Sequence, residues 1–303
     1  LKNDPGLFTG YRLDCGGNFV RLFGFCNHQN TKGEIMALIG MAIYDTPENG
    51  RDLMTEATLN SLVDTVDFDR HRLVCVVNAA TERTISAIAD MGGRLDSDHF
   101  EVIYCATNVG TARAVNRAWL LREPGEHAIK MDNDVVINYP LSNHCWVDIM
   151  EDAIRRDTQI GIIGLKRKDC IEDPEHPNEF YRSTIKRLPH QPGERHIIVE
   201  QVSHVMGTCQ MYSSALLDKI GYLYQPGLYG WDDVLAAVRC KVAGFYSCFL
   251  PGIDIDHIDP GGTPFQGWKE DQAWHDNPER NRLEAGYKNG TIPIWYGPNG
   301  EQR

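Results

Sequence analysis

Four Asp-x-Asp triplets, Asp67/Asp69, Asp96/Asp98, Asp132/Asp134 and Asp254/Asp256, are the residues of this chain best placed by type to bind a cation. Two carboxylates that close repel unless a cation or several hydrogen-bond donors stand between them. Hard oxygen ligands of this kind suit Mg2+ or Mn2+. Context separates the four. The first two lie in polar connectors, "DTVDFDRHR" and "GGRLDSDHF", where Asp is a routine turn residue. Asp132-Asn133-Asp134 instead ends the apolar run "HAIKMD" and stands beside the core. Asp254/Asp256 sit in "FLPGIDIDHID", directly before His257. Imidazole suits Mn2+ better than Mg2+, so His257 is a candidate third ligand to a site made with Asp132 or Asp134. A loop histidine capped by neighbouring acids is the plain alternative.

A second acidic position follows an aromatic loop, in "GLYGWDDVLAAVRCKVAGF". Asp is a preferred helix N-cap, and one cap accounts for one of Asp232 and Asp233 but not for both. A carboxylate there can serve as general base to a hydroxyl that comes within hydrogen-bond reach.

The elements that must position these residues alternate. Strand-like "EIMALIGMAIY" (34–44), "RLVCVVN" (72–78), "FEVIYCAT" (100–107) and "HAIKMD" (127–132) are interleaved with helical segments at about 52–66, 82–91 and 111–122, the second stopped by Gly92-Gly93. Apolar strands alternating with amphipathic helices predict an α/β fold, a mostly parallel sheet flanked by helices. Ligands of such sheets bind at the carboxyl ends of the strands, where Asp132 to Asp134 fall. Further on come a helix at about 142–156, the strand "IGIIGLKR" and an inserted hairpin made of "STIKRL" and "HIIVEQV". A strand-like "HVMGTCQMYS" and helices at about 213–220 and 232–243 follow. The reading is one domain over 34–259, in two halves that meet at about 140. Residues 1–33 and 260–303 read as N- and C-terminal extensions.

At 303 residues the chain can bury a large core, and its net charge of −12 argues against broad attachment to nucleic acid or anionic lipid. There is no apolar run long enough to span a membrane. Leu1 to Pro5 carry neither an initiator Met nor a signal-peptide pattern and read as a cut end. Nine cysteines without a CxxC pair fit a reducing cytoplasm better than a zinc cage or disulfide framework.

Taken in order, the motifs from about 35 to 257 resemble the GT-A fold of the inverting family 2 glycosyltransferases. "ALIGMAIYD…TLNSLVDTV" is similar to the opening nucleotide-binding strand and helix, "TNVGTARAVNRAW" to the Asn-x-Gly…Asn segment, and "IKMDNDVVI" to the Asp-x-Asp strand. The block from Met206 to Phe245, with Gly230-Trp231-Asp232-Asp233, is similar to the acceptor side. The resemblance implies a sugar transferred from a nucleoside-diphosphate sugar, UDP-sugar favoured over GDP-sugar, to an acceptor hydroxyl. It implies Mn2+ or Mg2+ on Asp132 and Asp134, with His257 as third ligand, and Asn133 beside the donor. Asp233 would be the base, Asp232 would position the acceptor, and Trp231, Gly207 and Thr208 would contact it. Tyr44, Asp45 and Asn78 would meet the nucleotide, with Arg113 or Asn116 adding a contact. Two departures are visible: Ala42 stands where the family usually has proline, and Asn78-Ala79-Ala80 where it usually has an aspartate.

The rival readings are a dinucleotide-binding dehydrogenase, a sugar-phosphate nucleotidyltransferase, a retaining transferase of the same fold and a sugar-binding domain without catalysis. The first needs G-x-G-x-x-G after the opening strand, and "IYDTPENGRD" has none. The second wants a basic Gly-rich loop where Asp45 to Glu48 are acidic. The last would use Trp231, Trp268, Trp274 and Trp295 as stacking platforms, with ordinary packing as their plainer role.

Overall fold

The computed structural model describes residues 37–170, 183–259 and 261–303, so the N-terminal extension, the first three residues of the expected opening strand and the segment 171–182 before the hairpin lie outside the described residues. The first half builds β1 (Ala37–Tyr44), α1 (Asp52–Thr65), β2 (Arg72–Ala79), α2 (Glu82–Arg94), β3 (Phe100–Tyr104), α3 (Thr111–Trp119), β4 (His127–Met131) and β5 (Val135–Ile137). The second builds α4 (Trp146–Arg156), β6 (Ile160–Arg167), β7 (Thr184–Arg187), β8 (Ile198–Val202), β9 (Cys209–Tyr212), α5 (Ser214–Ile220), α6 (Asp232–Val242), β10 (Tyr246–His257) and α7 (Pro264–Asn289).

The ten strands of the described residues join one sheet in the order β3-β2-β1-β4-β9-β6-β10-β8-β7, with β5 pairing β10. The pairs β2–β3, β1–β2, β1–β4 and β6–β10 are parallel, and β9 runs against both β4 and β6. The α/β expectation holds, with antiparallel strands entering in the second half. Strand β1 shows why its sequence is apolar throughout: Ala37, Ile39, Met41 and Ile43 join one core cluster, with residues of α1, α2 and α4. Leu38 joins a second cluster with residues of α3, α5 and α6. A strand buried on both faces reads as a continuous apolar run.

The expected hairpin is present as antiparallel β7 and β8. One expectation is corrected. Helix α2 runs through Gly92-Gly93 to Arg94, because glycine costs a helix only about 1 kcal/mol and the buried Ile88 and Met91 hold that turn. The segment around Asp254 is the long strand β10, paired with β6 on both sides of a register shift between Leu250 and Asp254. The chain after Pro260 forms a long helix. Helix α7 has Thr263 as N-cap, accepting from the Gln266 N–H, and Pro264 in its first turn. Its Leu283 and Tyr287 pack with Leu235 of α6 and with Tyr296, so this part of the chain is built into the body.

Candidate active site

The carboxyl ends of β1, β2 and β4 open into a cleft of about 580 Å3, closed on the far side by the 206–208 turn, the start of α6 and the start of α7. Two acidic groups line it.

The first is the Asp132-Asn133-Asp134 turn between β4 and β5. Its middle residue locks it: the Asn133 amide donates to Asp45 Oδ1 (2.9 Å) and Thr55 Oγ1 (2.7 Å). Asp45 is 1% exposed, and its other oxygen accepts from Thr55 (2.6 Å) and Thr84 (2.8 Å). Asp45 therefore faces inward and holds the turn. Asp134 Oδ2 meets Arg51 at 2.5 Å and His257 Nε2 at 3.3 Å. Burial alone would raise the Asp134 carboxyl; the His257 hydrogen bond and the Arg51 charge overcome it and hold it well below the usual range. Asp259 completes the group, bonded to Arg51 (2.8 Å) and Lys269 (2.6 Å). Ligand atoms of Asp134, His257 and Asp259 all lie within 4.8 Å of one another.

Asp132 turns elsewhere. Its Oδ1 meets the Lys130 ammonium at 3.1 Å, and burial, only partly offset by Lys130, pushes its carboxyl up to about 6. Lys130, 3% exposed on β4, also donates to the Gly207 carbonyl (2.5 Å) and lies 3.4 Å from Asp232 Oδ2. A lone buried ammonium costs several kcal/mol, so these partners are what let Lys130 stay inside.

The second acidic group opens α6. The N-cap of this helix is neither aspartate but Trp231, in the left-handed region at φ 68° and without a side-chain cap. Such a backbone is strained for a non-glycine residue. It starts the helix so that Asp232 and Asp233 occupy its first turn. Asp233 Oδ2 accepts the Gly207 N–H at 3.0 Å and pairs with His204 Nε2 at 3.1 Å, while Oδ1 takes the Val234 N–H at 2.8 Å. Burial would raise Asp233, but the His204 charge and hydrogen bond, helped by Lys130, hold it well below the ordinary carboxylate range. Asp232 moves up, through burial that Lys130 only partly offsets. Gly207 is clamped from both sides, its N–H on Asp233 and its carbonyl on Lys130. A Cβ there would stand 2.7 Å from Lys130 Nζ, so a larger residue must push the ammonium off its partners.

Of the residues singled out in the sequence, Tyr44, Asn78, Asp132, Asn133, Asp134, Gly207, Thr208, Asp232, Asp233 and His257 line the cleft. Asn78 accepts the Val109 N–H at 3.2 Å, which fixes its amide with the nitrogen turned away from that loop. Four do not line it. Asp45 is locked beneath the turn. Asn116, 1% exposed, ties Leu223 to Pro298. Arg113 is exposed on α3. Trp231 gives its indole N–H to the Ala273 carbonyl (2.8 Å) and lies under Arg280, so it packs on α7. The aromatic wall of the cleft is Tyr229, Phe265 and Trp268, with the last two stacked at 5.4 Å. Arg51, Lys130, His204, Asp259 and Lys269 were not found from sequence. Lys130 had a signal, a lysine inside an apolar strand that must find a partner, and Thr263-Pro264 announced the helix that brings Phe265 to Lys269.

No model of a known family matches the sequence, and a search of curated proteins returns no match. Solved structures do match. S. aureus TarS 1-349 in complex with UDP superposes at TM-score 0.57 and 17% identity, over 84% of this chain and 65% of that one. The mannosyltransferase PcManGT from Pyrobaculum calidifontis, in complex with GDP-Man and Mn2+, matches at TM-score 0.53 and 15% identity, over 84% of this chain and 74% of that one. The fold is that of the GT-A glycosyltransferases. GalNAc-T7 with UDP, GalNAc and Mn2+ shares the GT-A fold more distantly, at TM-score 0.50 and 12% identity, over 74% of this chain and 43% of that one. This chain therefore spans just under two thirds of the TarS structure's length. No described helix is long and apolar enough to cross a membrane, and the cysteines of the described residues are free.

The donor set fits a divalent cation of the Mn2+ type, with two carboxylates and one imidazole converging. Asp134 Oδ1 is buried without a hydrogen-bond partner, an atom that a cation would satisfy.

Proposed function

We propose that this chain is a glycosyltransferase, moving a sugar from a nucleoside-diphosphate sugar to an acceptor hydroxyl with the help of a divalent metal. The observation that supports it most is that two acidic groups line one cleft, Asp134 with His257 and Asp259 matched to a metal and Asp233 to a hydroxyl. Asp134, His257 and Asp259 would hold the ion, whose chemistry is Lewis-acid neutralisation of the departing diphosphate. Asn133 fixes the turn that carries Asp134, and Tyr44 and Asn78 offer the nucleotide contacts at the ends of β1 and β2.

Asp233 is the base of this reading. The Gly207 N–H and His204 fix both the position and the ionisation of its carboxylate. A carboxylate held this far down accepts a proton only from a hydroxyl already losing electron density to the anomeric carbon, so proton transfer comes late. Lys130 keeps Asp232 and Asp132 together beside it. Inversion needs base and leaving group on opposite faces of the anomeric carbon, and this reading assigns them to different acidic groups of the cleft. The donor reading keeps UDP-sugar ahead of GDP-sugar.

The test is release of nucleoside diphosphate from UDP-, GDP- and dTDP-sugars with Mn2+ and a mixed panel of sugar acceptors. Asp233→Asn is expected to lower turnover by about 100- to 10,000-fold, the usual worth of a general base, and to leave nucleotide affinity unchanged. Undiminished turnover in that variant removes Asp233 from the chemistry.

A further inference from the structure

Arg51 and Lys269 are buried cations in the cleft wall that the reaction above does not use. Arg51, 5% exposed, stands at the start of α1, and Lys269, 7% exposed, in the second turn of α7. Both lie on the Phe265 ring, 5.3 and 5.1 Å from its centroid. Both converge on the same atom, Asp259 Oδ2, at 2.8 and 2.6 Å. Arg51 also takes Asp134 Oδ2 at 2.5 Å and Asn133 Oδ1 at 3.3 Å. The two carboxylates of the candidate metal set are thus already neutralised by side-chain cations.

Charge counting shows what this does. Two carboxylates and two cations sum to zero. A divalent ion arriving alone leaves two uncompensated positive charges in a buried place, which is costly. A nucleotide sugar's diphosphate, with one negative charge on each phosphoryl group, leaves the opposite excess. Arriving together, ion and diphosphate cancel.

We infer that Arg51 and Lys269 are the diphosphate-binding residues of this cleft, held on Asp134 and Asp259 without nucleotide and released to phosphoryl oxygens when a divalent ion takes those carboxylates. The inference rests on the nucleotide-sugar reading. A guanidinium fork and an ammonium are both good phosphate partners, and a partner exchange leaves neither cation unpaired. Asp134 Oδ1, buried and without a hydrogen-bond partner, is the atom already open to the incoming ion.

Mn2+ titration of the full chain, read from the electron paramagnetic resonance of free Mn2+ with and without UDP or GDP, tests it. Wild type is expected to bind Mn2+ about 5 to 150 times more tightly when its nucleotide is present, the usual span of a coupling between two ligands. Arg51→Gln and Lys269→Gln are expected to bind Mn2+ alone more tightly than wild type and to lose most of that coupling. Arg51→Lys, which keeps the charge, should hold weak binding of Mn2+ alone. Lys269→Gln, whose side chain gives up one carboxylate partner, carries the test if Arg51→Gln does not fold. Equal Mn2+ affinity with and without nucleotide, or Gln variants that change neither affinity nor coupling, overturns the inference and leaves the transferase reading standing. Absence of nucleotide binding under every condition overturns both.

Discussion

Replacing Lys130 by Met tests whether one buried ammonium lets three carboxylates share the cleft wall. Its nitrogen lies 3.1 Å from Asp132 and 3.4 Å from Asp232, and it donates to the Gly207 carbonyl. At an effective dielectric of about 20, opposite charges 3.4 Å apart attract by about 5 kcal/mol before desolvation is subtracted. Removing one partner of a buried pair costs about 3 to 5 kcal/mol, because the other is left inside uncompensated. The Asp232 side chain is 7% exposed and bears most of this; Asp132, at 30%, is relieved in part by water. Met keeps most of the alkyl volume, so the loss is electrostatic rather than a cavity. The expected fall in melting temperature is roughly 6 to 20 °C, at about 2 to 4 °C per kcal/mol. Differential scanning fluorimetry at pH 7 reads it directly. The double variant Lys130→Met/Asp232→Asn should recover about 1 to 3 kcal/mol, since neither charge is then left alone. A Lys130→Met melting temperature within about 2 °C of wild type, or strictly additive losses in the double variant, would refute the reasoning.

Other outcomes follow from the same wall. His204→Gln should destabilise most between about pH 4 and 6.5, and progressively less as pH rises further. The His204 pKa is raised by the Asp233 charge against the opposing effect of burial, so its share of stability is complete below about 6.5 and is lost as pH climbs through the raised value. The lowered Asp233 supplies its share above about 3.9 and loses it as pH falls through the depressed value. Melting curves of both proteins from pH 4 to 9 give the difference. Gly207→Ala would place a Cβ 2.7 Å from Lys130 Nζ and 3.3 Å from Asp233 Oδ2, so it should cost about 1 to 3 kcal/mol of stability. Its turnover should fall while nucleotide affinity holds, a split that steady-state kinetics and calorimetry together resolve.

The sheet was legible because the buried strands of the first half carry long apolar runs, which only a sheet covered on both faces explains. Glycine misled at α2, where two residues of weak propensity were overruled by packing. Residues 249–259 left a loop histidine open as the plain alternative, because Pro251-Gly252 interrupts the run; the structure carries that interruption as an irregularity inside β10. At the site, the acidic positions could be read because burying a carboxylate beside an apolar strand demands a reason. The partners of those acids could not be. Arg51 reaches Asp134 and Asp259, and Lys269 reaches Asp259, only through the packing of α1, β10 and α7, and no local pattern encodes a meeting of segments up to 218 residues apart (Arg51 to Lys269). Asp45 and Trp231 carried the right types for ligand contact, and the structure spends them on holding the Asp132–Asp134 turn and the start of α6.

The central claim is that one cleft takes a nucleotide sugar and a divalent ion together. A thermal-shift panel of UDP-, GDP- and dTDP-sugars, each with and without Mn2+, tests it on wild type and on Asp134→Asn. Ligand linkage predicts a rise in melting temperature for one nucleotide that depends on Mn2+ and disappears in the variant. No shift with any nucleotide, with or without Mn2+, would contradict the account.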